Sequence, residues 1–314
     1  MASAAHAAKQ GRSLTLRSKL YVLLLVATVP LVALAIAFGA FLVQQRRETA
    51  RQEATGRMLA MVTAVDTAVA GSEAALRALA GSARLAGGDL KGFHEESRRF
   101  LTTQPQLTNI SLASVEGENL AEAVWPFGTR ARVYTDLATF YTAAKEGITT
   151  YGNVAIGPAI GVAAVRVRVP VVNNGAVRYV ISAPHRLEWF ESMLREQQPP
   201  TDWMVALLDS NKQFIARVPP STPSSSSVHA ALQGVSAGSF NAGTLDGQAI
   251  YATSVISART GWTLAVAIPQ RVIDGPAWRV LVVLLACGTV ALVITVIVAL
   301  KLAGRVTADY RRAS

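Results

Sequence analysis

The sequence predicts an α+β protein in which two small antiparallel-sheet units follow one another between two membrane-spanning helices. Three observations support this prediction: two long apolar runs lie near the chain ends, a helical pattern follows the first run, and strand and helix patterns alternate twice between the runs. Hydrophobic residues make up 51% of the 314 residues and charged residues only 16%. A typical soluble domain has about 25% charged residues, so the apolar excess agrees with a membrane protein.

The two apolar runs have the length of membrane-spanning helices. Residues 20–43 contain no charged side chain and would extend roughly 36 Å as an α-helix, whereas a bilayer core is about 30 Å thick. Residues 280–300 are similarly apolar. A cleaved signal peptide is the alternative for the first run. Its apolar part is longer than that of a signal peptide, which has about 7–15 residues, and this favours an uncleaved anchor.

The net charge of +10 belongs largely to the short tails beside the apolar runs, which suits an anionic membrane surface. No clustered basic and aromatic face indicates a nucleic-acid partner. Lysine and arginine near the ends of the runs favour cytoplasmic termini by a small margin, with residues 1–19 as a cytoplasmic tail. The inverted topology stays an alternative. Cys287 is the single cysteine, and a central segment without cysteine tolerates an oxidising compartment.

Residues 44–90 are predicted to form a long stalk helix that continues from the first apolar run. Apolar residues recur there at alternating four- and three-residue steps, a pattern typical of paired helices, and glycines follow where such a helix would end. The apolar stripe consists of Met58, Val62, Val65, Val69, Leu76 and Leu79. It packs either on a second copy of the chain or on the protein's own sheet units, and both alternatives remain open at this point.

Residues 91–185 are predicted to form the first sheet unit. A short helix at residues 93–103 ends before Pro105, and a helix is also expected at residues 137–145. Asn173, Asn174 and Gly175 form a strong hairpin signal between two alternating runs. The predicted strands are residues 107–114, 120–125, 149–157, 162–172 and 176–184.

Residues 186–202 are predicted to form an inter-unit helix, and residues 203–276 the second sheet unit. A loop rich in proline and serine at residues 219–227 and a short helix at residues 228–232 interrupt the second unit. Its predicted strands are residues 203–211, 212–218, 238–242, 248–256 and 261–268.

This arrangement resembles the double Cache domain, the extracytoplasmic sensor of bacterial histidine kinases, chemoreceptors and cyclic-dinucleotide enzymes. Three phrases carry the resemblance: VRVPVVNNGAVRYVISAPHRLEWFESML in the first unit and inter-unit helix, VALLDSNKQFIAR in the second unit, and TGWTLAVAIPQRVI at its last strand. The resemblance covers residues 46–273. It implies two PAS-like antiparallel-sheet units in tandem on a long N-terminal helix, flanked by two transmembrane helices.

The resemblance also implies a function. The chain would be a two-span sensor of a bacterial inner membrane, with a periplasmic or extracytoplasmic central domain and a homodimeric assembly. The first, membrane-distal unit would bind a small polar or anionic organic ligand such as a carboxylate. The second membrane helix would pass the change to a cytoplasmic output domain or partner protein, most often a histidine kinase. Residues 301–314 resemble the start of a signalling helix and are too short to hold that output, so the chain is expected to be an input half or to act through a partner. A two-span scaffold or envelope-assembly protein without a small ligand is the alternative.

The candidate ligand-binding residues lie after the second predicted strand and on the later strands of the first unit. In the resemblance, Arg132 matches an arginine that binds a ligand carboxylate. Tyr134 stands near a tryptophan position, but the Trp-Tyr pair of amino-acid sensors is absent. An arginine donates two parallel hydrogen bonds to a carboxylate. The candidates are Arg132, Tyr134, Asp136, Tyr151, Arg166, Arg168, Tyr179 and His185.

Several candidates have a structural alternative. Asp136 is positioned to cap the helix that starts at Leu137, which is favoured over a ligand contact. Arg166 and Arg168 share one strand face, which is either the pocket face or the solvent face. Core packing is the more common role of a tyrosine such as Tyr151.

Enzyme chemistry is poorly supported by the sequence. No phosphate-binding loop, nucleophile elbow, zinc spacing or dinucleotide-binding fingerprint is found, and the glycine-rich residues 157–161 lack the Lys-Ser/Thr ending of a phosphate loop and instead indicate a hairpin. His94 and His229 have no convergent partners for a metal. The sequence therefore predicts a chain that is not an enzyme and has no cofactor, with any output enzyme outside it.

Overall fold

The computed structural model describes residues 16–129, 136–157, 159, 161–220, 241–245 and 247–312. The chain folds into two compact units. Ala50–Val272 forms the central unit, and Met1–Thr49 with Ile273–Ser314 forms the terminal unit. The predicted helix at residues 228–232 and most of the tail at residues 1–19 lie outside the described residues.

The described residues form helices α1–α6 and strands β1–β11. The helices are α1 (Leu16–Ala80), α2 (Ala83–Ala86), α3 (Leu90–Thr102), α4 (Leu137–Glu146), α5 (Leu187–Glu196) and α6 (Gln270–Arg312). The strands are β1 (Ser111–Ser114), β2 (Asn119–Glu122), β3 (Thr150–Tyr151), β4 (Ala155–Ile156), β5 (Ala163–Asn173), β6 (Ala176–Arg186), β7 (Met204–Leu208), β8 (Phe214–Val218), β9 (Asn241–Leu245), β10 (Gln248–Ile256) and β11 (Thr263–Pro269).

The strands form two antiparallel sheets in the central unit. The first sheet has the order β2-β1-β6-β5-β3, with β4 also paired to β5, and the second has the order β8-β7-β11-β10-β9. Both sheets therefore begin with a hairpin whose first strand pairs with the last strand of the same sheet. We call β1–β6 with α3 and α4 the first sheet unit, and β7–β11 the second sheet unit. The predicted α+β class with two sheet units in tandem is confirmed.

The longest hairpin follows the sequence signal closely. β5 and β6 pair along ten registered positions from Ala164 with Arg186 to Asn173 with Ala176. Asn174 and Gly175 between them have φ angles of 52° and 77°, as a tight hairpin turn requires. The loop before β5 also closes as a hairpin, because the Gly157 N–H donates to the Val162 carbonyl at 3.0 Å.

The apolar stripe of α1 is used inside this chain. Met58, Val65, Val69 and Leu76 are all buried, and Val62 is half-buried. The stripe therefore packs within the central unit, which is the second of the two alternatives left open by the sequence. Homodimer formation remains a prediction that this burial does not address.

The long helix ends earlier than the sequence indicated. It was expected to extend through residues 44–90, but α1 ends at Ala80. The next turn begins at Ser82, whose hydroxyl accepts a hydrogen bond from the Arg84 N–H at 3.2 Å and so caps the short helix α2. A serine cap marks the start of a new helix, so one uninterrupted stalk over residues 44–90 is corrected to α1 followed by the separate short helix α2.

The two sheet units contact α1 at successive positions. In the second sheet unit, the Ser257 hydroxyl donates to Asp66 at 2.7 Å. In the first sheet unit, the Tyr151 hydroxyl donates to Glu73 at 2.6 Å. The first sheet unit therefore contacts α1 further from the apolar start of that helix than the second does.

The long helices contain apolar segments of membrane-spanning length. Val32–Ala80 and Gln270–Val298 are long and apolar enough to cross a membrane by length and composition, with mean hydropathies of 1.3 and 3.0. Within the terminal unit, the Arg47 guanidinium donates two hydrogen bonds to the Asp274 carboxylate at 3.1 and 3.0 Å. This ion pair joins α1 to the start of α6.

Candidate ligand-binding site

One buried face of the first sheet carries the arginines of β5. Antiparallel partners share a face, and Arg166 pairs with Pro184 while Arg168 pairs with Ser182 on β6. Ser182 in turn pairs with Ser111 on β1. We call this surface the arginine face. Arg166 is 4% exposed and Arg168 is fully buried, so the solvent-face alternative for these two residues is excluded.

Helix α4 covers part of the arginine face. Phe140, Ala143 and Ala144 of α4 form a buried cluster with Ala113 of β1 and Val180 of β6. The Thr150 hydroxyl donates to the Thr139 carbonyl of the same helix at 2.8 Å. The apolar cluster and this hydrogen bond hold α4 on the sheet, and the polar residues lie on the remaining part of the face.

A small cavity of about 30 Å³ opens on the arginine face. Its walls come from β1, β2, β5 and β6 and from the turn before β5. The lining residues are Thr108, Asn109, Ser111, Glu122, Gly157, Ala159, Val162, Ala164, Arg166 and Pro184. A volume of this size holds about two water molecules, and its lining combines a cation, a carboxylate and several hydroxyl or amide groups.

Glu122 gives the cavity a buried negative charge. It is 8% exposed, and its two carboxylate oxygens accept hydrogen bonds from the side-chain amides of Asn109 at 2.8 Å and Asn119 at 2.6 Å. The side-chain oxygen Oδ1 of Asn109 accepts from the Ile110 N–H at 2.8 Å, which fixes the orientation of that amide. No described residue forms an ion pair with Glu122, so its carboxylate lies in the cavity with amide partners only.

Asp136 and Arg168 form a buried ion pair beside the cavity. Arg168 Nη1 lies 3.1 Å from Asp136 Oδ2, and Arg168 Nη2 donates to the Asp136 carbonyl at 3.1 Å. The Thr139 hydroxyl donates to the same carboxylate at 2.7 Å. Asp136 stands at the cap position of α4 with φ 61°, but its side chain makes no capping bond to that helix. The expected capping role is therefore replaced by an ion pair with Arg168.

Three other candidates lie on the opposite face of the first sheet. Each is paired with a valine of β5 and so shares the face of those valines. The pairs are Tyr151 with Val167, Tyr179 with Val171 and His185 with Val165. The structure therefore brings together Asp136, Arg166 and Arg168, and separates the other three from them. Arg132 and Tyr134 lie outside the described residues.

Tyr151 joins the first sheet to α1 and to the second sheet unit. Its hydroxyl donates to Glu73 at 2.6 Å and accepts from Arg259 at 3.4 Å. Burial raises the pKa of the phenol, and the Glu73 hydrogen bond raises it further. Tyr151 therefore stays protonated and holds three segments of the central unit together.

His185 is a buried core histidine. Its ring is fully buried, with Nδ1 3.1 Å from the Ala183 carbonyl oxygen and the ring centroids of Trp189 and Phe190 at 5.5 and 6.3 Å. Burial lowers the pKa of His185 to about 4. The ring is therefore neutral near pH 7, and a neutral imidazole donates from Nδ1 to that carbonyl.

Sequence reasoning missed Asn109 and Glu122. Both were read as parts of strand patterns, Asn109 within residues 107–114 and Glu122 within residues 120–125. The available signal was a carboxylate inside an otherwise apolar stretch, LAEAVW, since a buried carboxylate needs polar partners. His94 also has a structural task, because its Nε2 lies 3.1 and 2.8 Å from the carbonyl oxygens of Glu122 and Trp125 and holds the end of β2.

Comparison with known proteins gives a structural likeness only. No family model matches the sequence, and no curated protein matches it. The ligand-binding domain of the Pseudomonas fluorescens chemoreceptor CtaA in complex with L-isoleucine has a TM-score of 0.58 and 13% identity, covering 76% of this chain and 98% of that chain.

Two further sensory domains are similarly close. The sensory domain of the Campylobacter jejuni chemoreceptor Tlp3 with isoleucine bound has a TM-score of 0.55 and 13% identity over 74% of this chain and 98% of its own. The ligand-binding domain of the Pseudomonas aeruginosa PAO1 amino acid chemoreceptor PctB in complex with L-Arg has a TM-score of 0.52 and 14% identity over 71% and 96%. The chain therefore has the fold of chemoreceptor sensory domains, as the double Cache resemblance implied.

Proposed function

We propose that this chain is the extracytoplasmic ligand-sensing part of a transmembrane signal-transduction receptor. The proposal is supported by the sensory-domain fold and by the two helices of membrane-spanning length. The first sheet unit, further along α1 from the apolar segment, would hold the ligand. The chain itself would catalyse no reaction.

One observation carries the ligand class: a buried arginine and a buried carboxylate, Arg166 and Glu122, line the same cavity. An arginine binds a carboxylate through two parallel hydrogen bonds, and a carboxylate binds an ammonium group. The pair therefore suits a small organic ligand that carries a carboxylate, and an amino acid would engage both residues. Since the cavity of about 30 Å³ holds only about two water molecules, binding would require the first sheet unit to open around the ligand. The similar domains were solved with isoleucine, L-Arg and L-isoleucine, which agrees with this chemistry.

The signal would leave through α6. β11 ends at Pro269 and α6 begins at Gln270, so the last strand of the second sheet unit continues directly into the second apolar helix. A ligand that binds two arrangements of the central unit with different affinity shifts their populations. The chain would form a homodimer, and a cytoplasmic output domain or partner protein, which we propose to be a histidine kinase, would change its activity in response to that shift.

The test is thermal unfolding of the full chain in detergent with a panel of L-amino acids, organic acids and amines. A ligand at 100 times its dissociation constant adds about 2.7 kcal/mol of stability, which raises the melting temperature by several degrees. Glu122→Gln should abolish the shift for amino acids and retain it for simple carboxylates. Glu118→Gln is the matched control, because Glu118 is exposed on the same hairpin, and it should respond as the unmodified chain does. Equal shifts for Glu122→Gln and the unmodified chain would remove Glu122 from the site.

A second candidate is a two-span scaffold that binds no small ligand. The cavity volume of about 30 Å³ favours it, because a closed and packed first sheet unit is what a scaffold requires. No thermal shift across the whole panel would support the scaffold and contradict the sensor.

A further inference from the structure

The segment of residues 152–155 lies between the cavity and the second sheet unit, and we call it the bridging segment. It runs from the end of β3 to the start of β4. Its first residue, Gly152, is buried, and a Cβ there would lie 2.6 Å from Asp136 Oδ2 and 2.9 Å from Arg168 Nη1. The segment therefore passes directly against the buried ion pair of the arginine face, where only a glycine fits without displacement.

On the cavity side, Arg166 holds both ends of the bridging segment. The Gly152 N–H donates to the Arg166 carbonyl at 2.7 Å. The Arg166 guanidinium donates to the Ala155 carbonyl at 3.5 Å, which is a long and therefore weak bond. The Asn153 N–H donates to Asp136 at 3.3 Å. The residue that lines the cavity is thus in direct contact with the segment.

On its other side, the bridging segment is bound to the turn after β7 in the second sheet unit. The Val154 N–H donates to Asp209 Oδ2 at 2.8 Å, and the Ser210 N–H donates to the Asn153 side-chain oxygen at 3.1 Å. Asp209 is fully buried, and its second oxygen accepts from the Gln213 N–H at 2.8 Å. A displacement of Val154 therefore acts on a carboxylate that also fixes the β7–β8 turn.

We propose that the bridging segment couples the cavity to the second sheet unit, with Arg166 as the input and the Asp209 turn as the output. This inference rests on the proposed function for its ligand step only. A carboxylate bound to Arg166 would form charge-assisted bonds that are stronger than the 3.5 Å bond to the Ala155 carbonyl. The ligand would replace that bond, release one end of the segment and change the position of Val154 against Asp209. An element with two arrangements that is biased from both of its sides couples the two sites, and the segment would acquire its second arrangement when the Ala155 bond is lost.

The coupling can be measured without any ligand, by hydrogen–deuterium exchange with single-residue fragmentation on the full chain in detergent. Arg166→Gln removes the guanidinium from the Ala155 carbonyl. We expect the amides of Val154, Ser210 and Gln213 to exchange about two- to fivefold faster, since the loss of one hydrogen bond of this length is worth about 0.5–1 kcal/mol and local opening follows its free energy. Arg178→Gln is the matched control, because Arg178 is exposed on the neighbouring strand, and it should leave these rates unchanged.

Unchanged exchange at Ser210 and Gln213 in Arg166→Gln would overturn the coupling. If Arg166→Gln accelerates exchange throughout β5 and β6, Arg166→Lys is the variant that tests the coupling. Lysine keeps the buried positive charge, but its side chain is shorter than that of arginine and lacks the guanidinium that contacts the Ala155 carbonyl. Faster exchange at Ser210 and Gln213 in Arg166→Lys supports the coupling, and unchanged rates overturn it. Asn153→Ala should accelerate Ser210 alone. Since no ligand enters the experiment, a missing thermal shift would contradict the sensor without affecting this result.

Discussion

The two sheet units share one strand connectivity and have opposite interiors. In the first, the covered face of the sheet carries Arg166, Arg168 and Glu122. In the second, the sheet carries a buried apolar cluster. Its members are Ala206, Leu208, Leu245, Ile250, Ala252 and Ala265. The same frame therefore holds buried charges beside an apolar cluster in the first unit and an apolar cluster on the sheet of the second.

Equivalent strands make the contrast specific. β5 and β10 each pair with the last strand of their own sheet. Arg168 of β5 faces Ser182 on β6, whereas Ala252 of β10 faces Ala267 on β11. Burying charge is costly unless it is paired and hydrogen-bonded, and apolar packing carries no such condition. The first unit accordingly keeps hydrogen-bonding partners for its buried charges, whereas the apolar cluster of the second unit needs none.

The largest effect is expected from breaking the polar interior. Arg168→Met leaves the largely buried Asp136, whose side chain is 11% exposed, without its cation, and loss of one partner of a buried ion pair costs about 3–5 kcal/mol. The free energy of unfolding, measured on the full chain by circular dichroism in denaturant, should fall by that amount, with faster hydrogen exchange in β5 and β6. Arg178→Met, an exposed arginine on β6, should change it by less than about 0.5 kcal/mol. Equal stability of the two variants would mean that the ion pair does not hold the first unit.

A smaller effect is expected from the apolar interior. Leu208→Ala removes a fully buried side chain from the second core, and such truncations cost about 3 kcal/mol. Faster exchange should appear in β7, β10 and β11 while the response to ligand in the thermal assay persists. Ile256→Ala is the control, because Ile256 is exposed on β10. Loss of the ligand response in Leu208→Ala with an intact fold would contradict the assignment of ligand binding to the first unit alone.

The third effect is absent near neutral pH and appears only in acid; it concerns the valine face of the first sheet. Burial lowers the pKa of His185 from 6.5 to about 4, so the unfolded chain binds this proton at a higher pH than the folded chain does. The contribution of the neutral His185 ring to the free energy of unfolding is fully present above about pH 6.5. It is lost as the pH falls from 6.5 to 4, by up to about 3 kcal/mol. His185→Leu should flatten that part of the profile when both proteins are compared in denaturant at each pH. Parallel profiles would contradict burial of a neutral ring.

Much of the fold could be predicted from local sequence. The alternation on both sides of Asn174 and Gly175 predicts β5 and β6 because strand pairing and turn chemistry depend on neighbouring residues. The α1 stripe predicts a long helix for the same reason. The break after Ala80 was missed, since the Ser82 cap competes locally with continuation of the helix.

The candidate site was only partly predictable. The sequence identified Arg166, Arg168 and Asp136 as candidates, and strand alternation assigned both arginines to one face. It did not indicate that Arg168 pairs with Asp136, 32 positions away in the chain, or that Glu122 lies on the same cavity as Arg166. It also grouped Tyr151, Tyr179 and His185 with the arginines, although their strand partners put them on the valine face.

The sequence by itself determined the two apolar helices, the order of helices and strands, and the hairpin that joins β5 to β6. These features depend on composition and on residues a few positions apart. Only the tertiary structure decided which sheet face became the polar interior, which charges found partners, and how residues 152–155 join Arg166 to Asp209. Those outcomes depend on contacts between segments that are distant in the chain. Because a buried charge is costly without a partner, the fold is stable only where such contacts bring a partner to each charge.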